Sequence, residues 1–226
     1  MTGASIGVDL GLTTFVATSD GELFANPRPL RAARLRLERV QRRVSRRQRG
    51  SQRWWQVCRL LAKHHARVAN LRRENHITVA RSLVARYDTI YVEDLNIKGL
   101  ARSALAKSVN DAAWGNFLNW LNCKAEEAGR RVEEVDPRGT SQSCSACSVV
   151  ASEKLSLAIR TFKCGSCGAS LDRDVNAARN ILGLGQSLQG AATPPRVRQR
   201  SAKRTGARSG HAFRCAANPS KGLSSE

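Results

Sequence analysis

Four cysteines in the second half of the chain have the type and spacing of a metal site. They form two C-x-x-C pairs, Cys144 with Cys147 and Cys164 with Cys167, and sixteen residues separate the pairs. Two such thiolate pairs can close a tetrahedral Zn²⁺ site with Zn–S distances of about 2.3 Å. Because cysteine fills every ligand position, the pattern predicts a structural zinc ribbon over 139–170, with a strand pair between the two cysteine pairs. Four reduced thiols without metal are the alternative.

Three acidic residues stand at positions that suit a second metal site. Asp9 ends a predicted apolar strand, Glu93 lies near the end of another, and Asp174 opens the last predicted helix. A carboxylate in an apolar strand is costly unless something pairs with it. If the two strands are adjacent and parallel, Asp9 and Glu93 lie at the same end of the sheet. The start of the last helix would then bring Asp174 beside them. Such a cluster suits Mg²⁺ or Mn²⁺, and two ions about 4 Å apart support phosphodiester hydrolysis.

Each acid also has an ordinary structural interpretation. Asp172 or Asp174 can serve as a helix N-cap, a common use of aspartate at a helix start. Glu93 can belong to a solvated strand end, and Asp9 can form a turn with Thr13. Spacing alone leaves these alternatives open.

The elements that would position these residues follow from the hydrophobic pattern. The segment 5–18 predicts two strands around a tight turn, and 22–25 predicts a short third strand. From Leu30 the apolar spacing changes to three and four residues, which predicts a helical hairpin over about 28–86, broken at 49–51. Further strands are expected at 88–95 and 131–135. Helices are expected from Asp111 to Glu127, with Gly129 after the end, and from Asp174 to Gly183.

The charge of the chain points to a polyanionic partner. The 226 residues contain 38 Lys and Arg against 18 Asp and Glu, a formal net charge of +20. Nucleic acid is therefore the first partner to consider, and an anionic membrane surface is the second. Between residues 28 and 86 the only acids are Glu38 and Glu74. This imbalance favours a phosphate-binding surface over a merely solvated face. The candidate contacts are Arg42, Arg43, Arg46, Arg47, Arg49, Arg53, Lys63, Arg72 and Arg73.

The expected location is the cytoplasm of a prokaryotic cell, near the nucleoid. No run of about eighteen apolar residues is present, so no membrane span is expected. The N-terminus shows no secretory signal pattern, and an odd cysteine count with two C-x-x-C pairs is atypical of a secreted disulfide framework. After residue 188 the chain is rich in Gly, Ser, Pro and Arg, and 189–226 is predicted to be a disordered basic tail.

Several strings together resemble the TnpB/OrfB family of transposon-encoded proteins, which are related to the type V CRISPR effector nucleases. They are IGVDLGL, the basic hairpin, YVEDLNIKGL, the stretch from DAAWGNF to SQSCSAC, and FKCGSCGASLDRDVNAARNIL. The resemblance covers about residues 5–183. It implies an α/β fold, a RuvC-like or RNase H-like mixed sheet with flanking helices. The nuclease core would occupy 1–138 and 171–188, with the hairpin and the zinc ribbon inserted in it.

The resemblance also implies an activity. Carried over position by position, Asp9, Glu93 and Asp174 are the metal-binding catalytic triad of a DNA endonuclease. In the family the cleavage is guided by RNA, so DNA and a guide RNA are the implied partners. The family has an N-terminal module before the first catalytic strand, and here the first catalytic aspartate is at position 9. A non-catalytic nucleic-acid-binding remnant, or an accessory factor in transposition, is therefore the alternative.

Overall fold

A mixed sheet of five strands is the centre of the computed structural model, which describes residues 3–136, 138–151 and 159–190. The order in the sheet is β3-β2-β1-β4-β5. Strand β1 is antiparallel to β2 and parallel to β4, and β4 is parallel to β5. The two strands that carry Asp9 and Glu93 are thus adjacent and parallel. The strands are β1 (Ser5–Leu10), β2 (Thr14–Thr18), β3 (Leu23–Ala25), β4 (Thr89–Glu93) and β5 (Arg131–Val135).

Helices cover both faces of this sheet because the central strands are apolar on both sides. Ile6 and Val8 of β1 pack into one core with residues of α2 (Gln52–Arg86) and α5 (Trp114–Glu127). Tyr91 of β4 packs on the other face with Ile181 of α6 (Arg173–Gly190). Side chains alternate along a strand, so Gly7 and Asp9 of β1 point to the α6 side.

The predicted basic hairpin is confirmed as two long helices. Helix α1 (Pro29–Ser45) and α2 are joined by a short turn that contains Gly50 at φ +85°. The hydroxyl of Ser51 accepts the backbone N–H of Trp54 at 3.2 Å, which is a normal N-cap for α2. Leu37 and Val40 of α1 are buried, so the apolar stripe of this helix packs as its spacing indicates.

The prediction that a helix starts at Asp111 is wrong. The chain forms the short helices α3 (Ile97–Leu100) and α4 (Ala106–Ala112), and Ala113, at φ +51°, separates α4 from α5. The Asp111 carboxylate instead accepts the backbone N–H groups of Leu30 and Arg31, both at 3.0 Å. It therefore caps α1 from about eighty residues away, a contact that local sequence cannot reveal. Gly129 follows α5 at φ +66°, as predicted.

The cysteine module differs from the prediction in where its strands pair. Strands β6 (Thr161–Lys163) and β7 (Ser170–Asp172) are antiparallel and flank the second cysteine pair, whereas a pairing between the two cysteine pairs was expected. Residues 152–158, which contain part of that expected pairing, lie outside the described residues, and Ile159 is exposed and not in a strand. The strand β7 also extends two residues past the predicted ribbon boundary.

The last helix is longer than the sequence indicated. It was expected to end at Gly183 but continues to Gly190, so the first two residues of the predicted tail are helical. The rest of that tail, 191–226, lies outside the described residues. Of the helices that are described, none has both the length and the apolar character needed to cross a bilayer.

Candidate functional site

Two of the three predicted acids end neighbouring strands at the centre of the sheet. Val8 of β1 lies opposite Val92 of β4 in parallel register, so Asp9 and Glu93 follow side by side. Ile90 and Val92 face the α2 side and Tyr91 faces α6, so the alternation turns Glu93 toward α6 as well. Sheet order and pleat together bring both acids to the same face.

Burial and the charges of the two other acids both raise the pKa of Asp9. Burial raises it from 3.8 to about 8, and the negative charges of Glu93 and Asp174 contribute to that rise. Burial also raises the pKa of Glu93 and of Asp174. Without a cation, this group of acids favours at least one carboxyl group in its protonated form.

Asp174 lies in the first turn of α6, and its negative charge acts on Asp9. Its Oδ2 lies 3.7 Å from the point where a Cβ on Gly11 would stand, which places it at the turn after β1. Arg160 donates to Asp174 Oδ2 at 3.4 Å and also bonds the hydroxyl of Thr13. Asp172 caps α6 by accepting the N–H groups of Asp174 and Val175 at 2.9 and 3.2 Å. The N-cap role therefore belongs to Asp172, and the Asp174 carboxylate is not the cap.

Glu93 has a buried hydrogen-bond partner that the sequence did not indicate. The hydroxyl of Thr140 donates to Glu93 Oε1 at 2.6 Å, and both residues are less than one-tenth exposed. This bond partly opposes the effect of burial on the pKa of Glu93. The interpretation of Glu93 as a solvated strand end does not apply, since the side chain is buried.

The four predicted zinc ligands converge in the structure. Their sulfur atoms all lie within 4.8 Å of one another, and they are the only such group of potential metal ligands in the parts of the chain that the structure describes. Cys144 Sγ lies 3.7 Å from Cys167 Sγ, and Cys147 Sγ lies 3.6 Å from Cys164 Sγ. A tetrahedron with Zn–S bonds of about 2.3 Å has edges of about 3.8 Å, so the sulfur positions fit a Zn²⁺ ion.

The two cysteine pairs are held in nearly the same backbone turn. The N–H of Ser148 donates to the carbonyl of Cys144 at 2.8 Å, and the N–H of Gly168 donates to that of Cys164 at 3.0 Å. Ser148 and Gly168 both have positive φ, +61° and +75°. The serine therefore occupies a backbone conformation that glycine adopts without steric cost.

Backbone N–H groups favour the thiolate form of one zinc-ligand candidate, Cys164. The N–H groups of Cys167 and then Ser166 lower the pKa of Cys164 from 9.0 to about 6. A thiol that ionises near neutral pH is a competent metal ligand, because zinc binds the thiolate.

Two asparagines of α6 anchor the segment around the first cysteine pair by hydrogen bonds to its backbone. Asn176, which is fully buried, accepts from the N–H of Ser145 at 2.9 Å and donates to the carbonyl of Ser143 at 2.8 Å. Asn180 donates to the carbonyls of Thr140 and Ser143 at 2.8 and 2.7 Å. The i, i+4 spacing of two asparagines in NAARN was the available sequence signal, because it puts both amides on one helix face.

Eight of the nine predicted nucleic-acid contacts project from the hairpin free of salt bridges to acids in the described residues. All eight are exposed. They are Arg42, Arg43, Arg46, Arg47, Arg49, Arg53, Lys63 and Arg73. Trp55, on α2, is 54% exposed. Its ring packs edge-on against that of Trp54, with the two ring centroids 4.7 Å apart.

Arg72 differs from the other eight. Its guanidinium donates to the backbone carbonyl of Asp111 at 2.8 Å and pairs with the Asp111 carboxylate at 3.2 Å. The side chain is half-buried and ties α2 to α4. Arg72 therefore has a structural contact and does not belong to the exposed basic surface of the hairpin.

Comparison with known proteins adds to this geometry. The chain matches two family models in succession, one described as "Probable transposase" (OrfB) over residues 1–104 and one described as "Cas12f1-like, TNB domain" over residues 114–181. The chain belongs to the TnpB/OrfB family. The resemblance read from the motifs is thereby confirmed.

Curated relatives of this TnpB-family chain agree with that placement. A protein named "Putative RNA-guided DNA endonuclease" from Streptomyces pristinaespiralis is 38% identical over 209 residues, which are 91% of this chain and 51% of that protein. The similarly named InsQ of Escherichia coli K12 is 29% identical, over 81% of this chain and 49% of that protein. The chain thus spans about half the length of these relatives.

Solved structures share the fold of this TnpB-family chain. A cryo-EM structure of a Cas12f1–sgRNA–target DNA complex matches with a TM-score of 0.56 and 17% identity, over 78% of this chain and 49% of that one. A CRISPR–Cas12f ternary complex also matches with a TM-score of 0.56, over 38% of its length. The common feature at this level of identity is the fold alone.

Proposed function

We propose that this chain acts as a metal-dependent DNA endonuclease of the TnpB type, built on a RuvC-like, RNase H-like sheet. Asp9, Glu93 and Asp174 would hold Mg²⁺ or Mn²⁺ at the catalytic site. The observation that carries the proposal is the parallel register of β1 and β4, which sets Asp9 beside Glu93 on the face that α6 covers. Burial and the charges of Glu93 and Asp174 raise the pKa of Asp9 to about 8 there. A group of partly buried acids of this kind is stabilised by a bound cation.

The chemistry of the donors fits a hard divalent cation. All three side chains offer carboxylate oxygens, the ligands that Mg²⁺ and Mn²⁺ prefer. When bound, such ions activate a water molecule and stabilise the leaving oxygen of a phosphodiester. Arg160 pairs with Oδ2 of Asp174 at 3.4 Å and would compete with a cation for that oxygen.

The remaining parts of the chain have supporting roles in this proposal. The zinc in the ribbon is structural, because four sulfur ligands leave no open position. The exposed arginines of the hairpin would contact phosphates of a nucleic-acid backbone. We extend the proposal to RNA guidance, in which base pairing reads the sequence and the protein reads backbone shape.

Cleavage and metal binding of matched variants test this function. The zinc-loaded chain is incubated with labelled single-stranded DNA and Mg²⁺ or Mn²⁺, next to Asp9→Asn and Asp174→Asn. We expect metal-dependent cleavage by the wild type and a loss of at least about 100-fold in either variant. Mn²⁺ binding, followed by the electron paramagnetic resonance of the free ion, should weaken in the same variants.

The outcomes separate the nuclease from the binding-only alternative. Nucleic-acid binding that survives in Asp9→Asn and Asp174→Asn, with no cleavage and no carboxylate-dependent Mn²⁺ binding by the wild type, would establish a non-catalytic binding protein. Cleavage that is equal in wild type and variants would assign the activity to a contaminant or to other residues.

A further inference from the structure

A chain of hydrogen bonds, buried at Glu93 and Thr140, connects the acid Glu93 with the first cysteine pair of the ribbon. It runs from Glu93 to the hydroxyl of Thr140, and from the backbone of Thr140 and Ser143 to Asn176 and Asn180 of α6. Every step is a hydrogen bond of 2.6–2.8 Å. From this connection we propose that Thr140 is a positioning residue for Glu93, held in place by the zinc ribbon and α6.

The hydrogen bond from Thr140 can orient the carboxylate of Glu93. The hydroxyl donates to Oε1, one of the two carboxylate oxygens, and so restricts the rotation of the carboxylate. With Thr140 3% exposed and Glu93 8% exposed, water has little room to replace this bond. Hydrogen bonds that orient ligating carboxylates commonly contribute about 10- to 100-fold to metal affinity or activity.

The position of Thr140 is itself determined by contacts on both sides of a zinc ligand. Asn176 bonds the carbonyl of Ser143 and the N–H of Ser145, the two residues that flank Cys144. Asn180 bonds the carbonyl of Thr140 itself. Turn bonds from Gln142 and Ser143 back to Gly139, at 3.1 and 3.0 Å, close the segment.

The same helix carries the third acid. Asp174 stands two residues before Asn176 in α6, so the element that brings this carboxylate to the site also anchors the ribbon segment that orients Glu93. The ribbon therefore acts as a support for the acid cluster in addition to holding its own zinc. This inference rests on the proposed function, since it assigns Glu93 a metal to hold.

Variants of Thr140 in the full zinc-loaded chain test the positioning role. Thr140→Val keeps the shape and removes the hydroxyl, whereas Thr140→Ser keeps the hydroxyl. We expect Thr140→Val to weaken Mn²⁺ binding about tenfold or more and to lower the cleavage rate without changing DNA affinity. Thr140→Ser should stay within about threefold of wild type, and zinc content should be the same in both.

A second pair of variants tests the anchoring by α6. Asn180→Ala removes the amide that bonds Thr140 and Ser143, and Gln186→Ala changes an exposed residue of the same helix. Weaker Mn²⁺ binding in Asn180→Ala, with Gln186→Ala equal to wild type and zinc retained in both, would support the connection.

The failures can be told apart. If the wild type binds Mn²⁺ and Asp9→Asn does not, but Thr140→Val binds as tightly as wild type, the positioning role is wrong and the proposed function stands. The role is also wrong if Thr140→Ser is as weak as Thr140→Val. If the wild type shows no carboxylate-dependent Mn²⁺ binding, both proposals fall.

Discussion

At the scale of single residues, the acids are the most informative part of this molecule. Asp9 lies in a central strand between Val8 and Leu10, whose side chains are buried, and its pKa is raised to about 8 by burial and by two neighbouring acids. Such a residue lowers the stability of the metal-free protein when it ionises. An aspartate at this position is therefore better explained by a role in binding a ligand than by a contribution to the stability of the fold.

The raised pKa of Asp9 predicts a pH-dependent stability. In the metal-free site the folded state retains a proton up to about pH 8, whereas an unfolded Asp releases it near 3.8. The stabilisation is therefore complete below the unfolded pKa and is lost as the pH rises through the folded one. We expect the free energy of unfolding to fall across this range by up to about 1.4 kcal/mol per pH unit.

Urea titrations of the zinc-loaded chain, without Mg²⁺ or Mn²⁺, measure this slope. Asp9→Asn serves as the comparison, because it removes this titrating group and retains all the others. Since the Asp9 side chain retains some exposure to solvent, screening reduces the slope below its maximum. Added Mn²⁺ should flatten the wild-type curve by favouring the ionised form. Identical slopes for wild type and Asp9→Asn would refute the assignment.

Ser148 supplies a second prediction at this scale. Its φ of +61° costs a non-glycine residue about 1 kcal/mol, and the equivalent position in the other cysteine pair is Gly168 at φ +75°. Ser148→Gly should therefore stabilise the zinc-loaded ribbon by about that amount and slow zinc transfer to a chelator. The reciprocal variant Gly168→Ser should do the opposite. Equal zinc release from all three proteins would show that the turn conformation is not limiting.

At the scale of elements, helix α6 organises the site through close backbone approach. A Cβ on Gly7 of β1 would stand 2.0 Å from the carbonyl oxygen of Ala178, and one on Gly185 would stand 2.1 Å from the ring of Tyr91. The two glycines allow α6 to lie directly on the sheet. This contact brings Asp174 to Asp9 and the asparagines to the ribbon.

Two glycines of α6 give a matched test of this packing. Gly185→Ala places a methyl group against Tyr91, which is completely buried, and should destabilise the fold by about 1–3 kcal/mol or more. Gly183→Ala, two residues earlier, meets no atom within 4 Å and should stabilise the helix by about 0.5–1 kcal/mol. Urea midpoints of the two variants should move in opposite directions. A shift in the same direction would contradict the close approach.

At the scale of the whole molecule, the net charge of +20 is distributed unevenly. From Arg39 to Arg73 the sequence contains no acidic residue, and most of its cations are exposed. Elsewhere several arginines are paired, such as Arg34 with Glu38 at 2.7 Å and Arg86 with Glu22 at 2.5 Å. Within the part of the chain that the structure describes, the uncompensated charge is therefore concentrated on the hairpin between Arg39 and Arg73.

This distribution predicts where salt-sensitive binding arises. The affinity for DNA should fall steeply with salt, because bound cationic side chains displace counterions from the phosphates. The double variant Arg42→Gln with Arg46→Gln should lower the slope of log affinity against log salt by about one for each phosphate that is no longer neutralised. The control, Arg34→Gln with Arg86→Gln, removes the same charge from paired positions and should change the slope much less. Equal changes would mean that net charge alone, and not this surface, governs binding.

Local sequence patterns were sufficient to predict most of the strands, the helical hairpin and the cysteine site of this protein. Apolar alternation predicted the strands, the change to helical spacing predicted the hairpin, and the C-x-x-C pairs predicted four sulfurs that meet in the structure. Each of these signals depends on residues close together in the chain, where backbone geometry limits the possibilities. Asp9, Glu93 and Asp174 could be named as candidates from their positions and the family resemblance, although their catalytic role stays a prediction.

Only the tertiary structure decided the contacts between distant segments. Asp111 stands at the predicted start of its own helix and instead caps α1, while nothing in the sequence indicates that Thr140 bonds Glu93. The glycine contacts of α6 are equally invisible in sequence. The reason is physical: a buried polar group accepts whichever partner the folded chain brings to it, and that partner is chosen by packing across the sheet, not by neighbours in sequence.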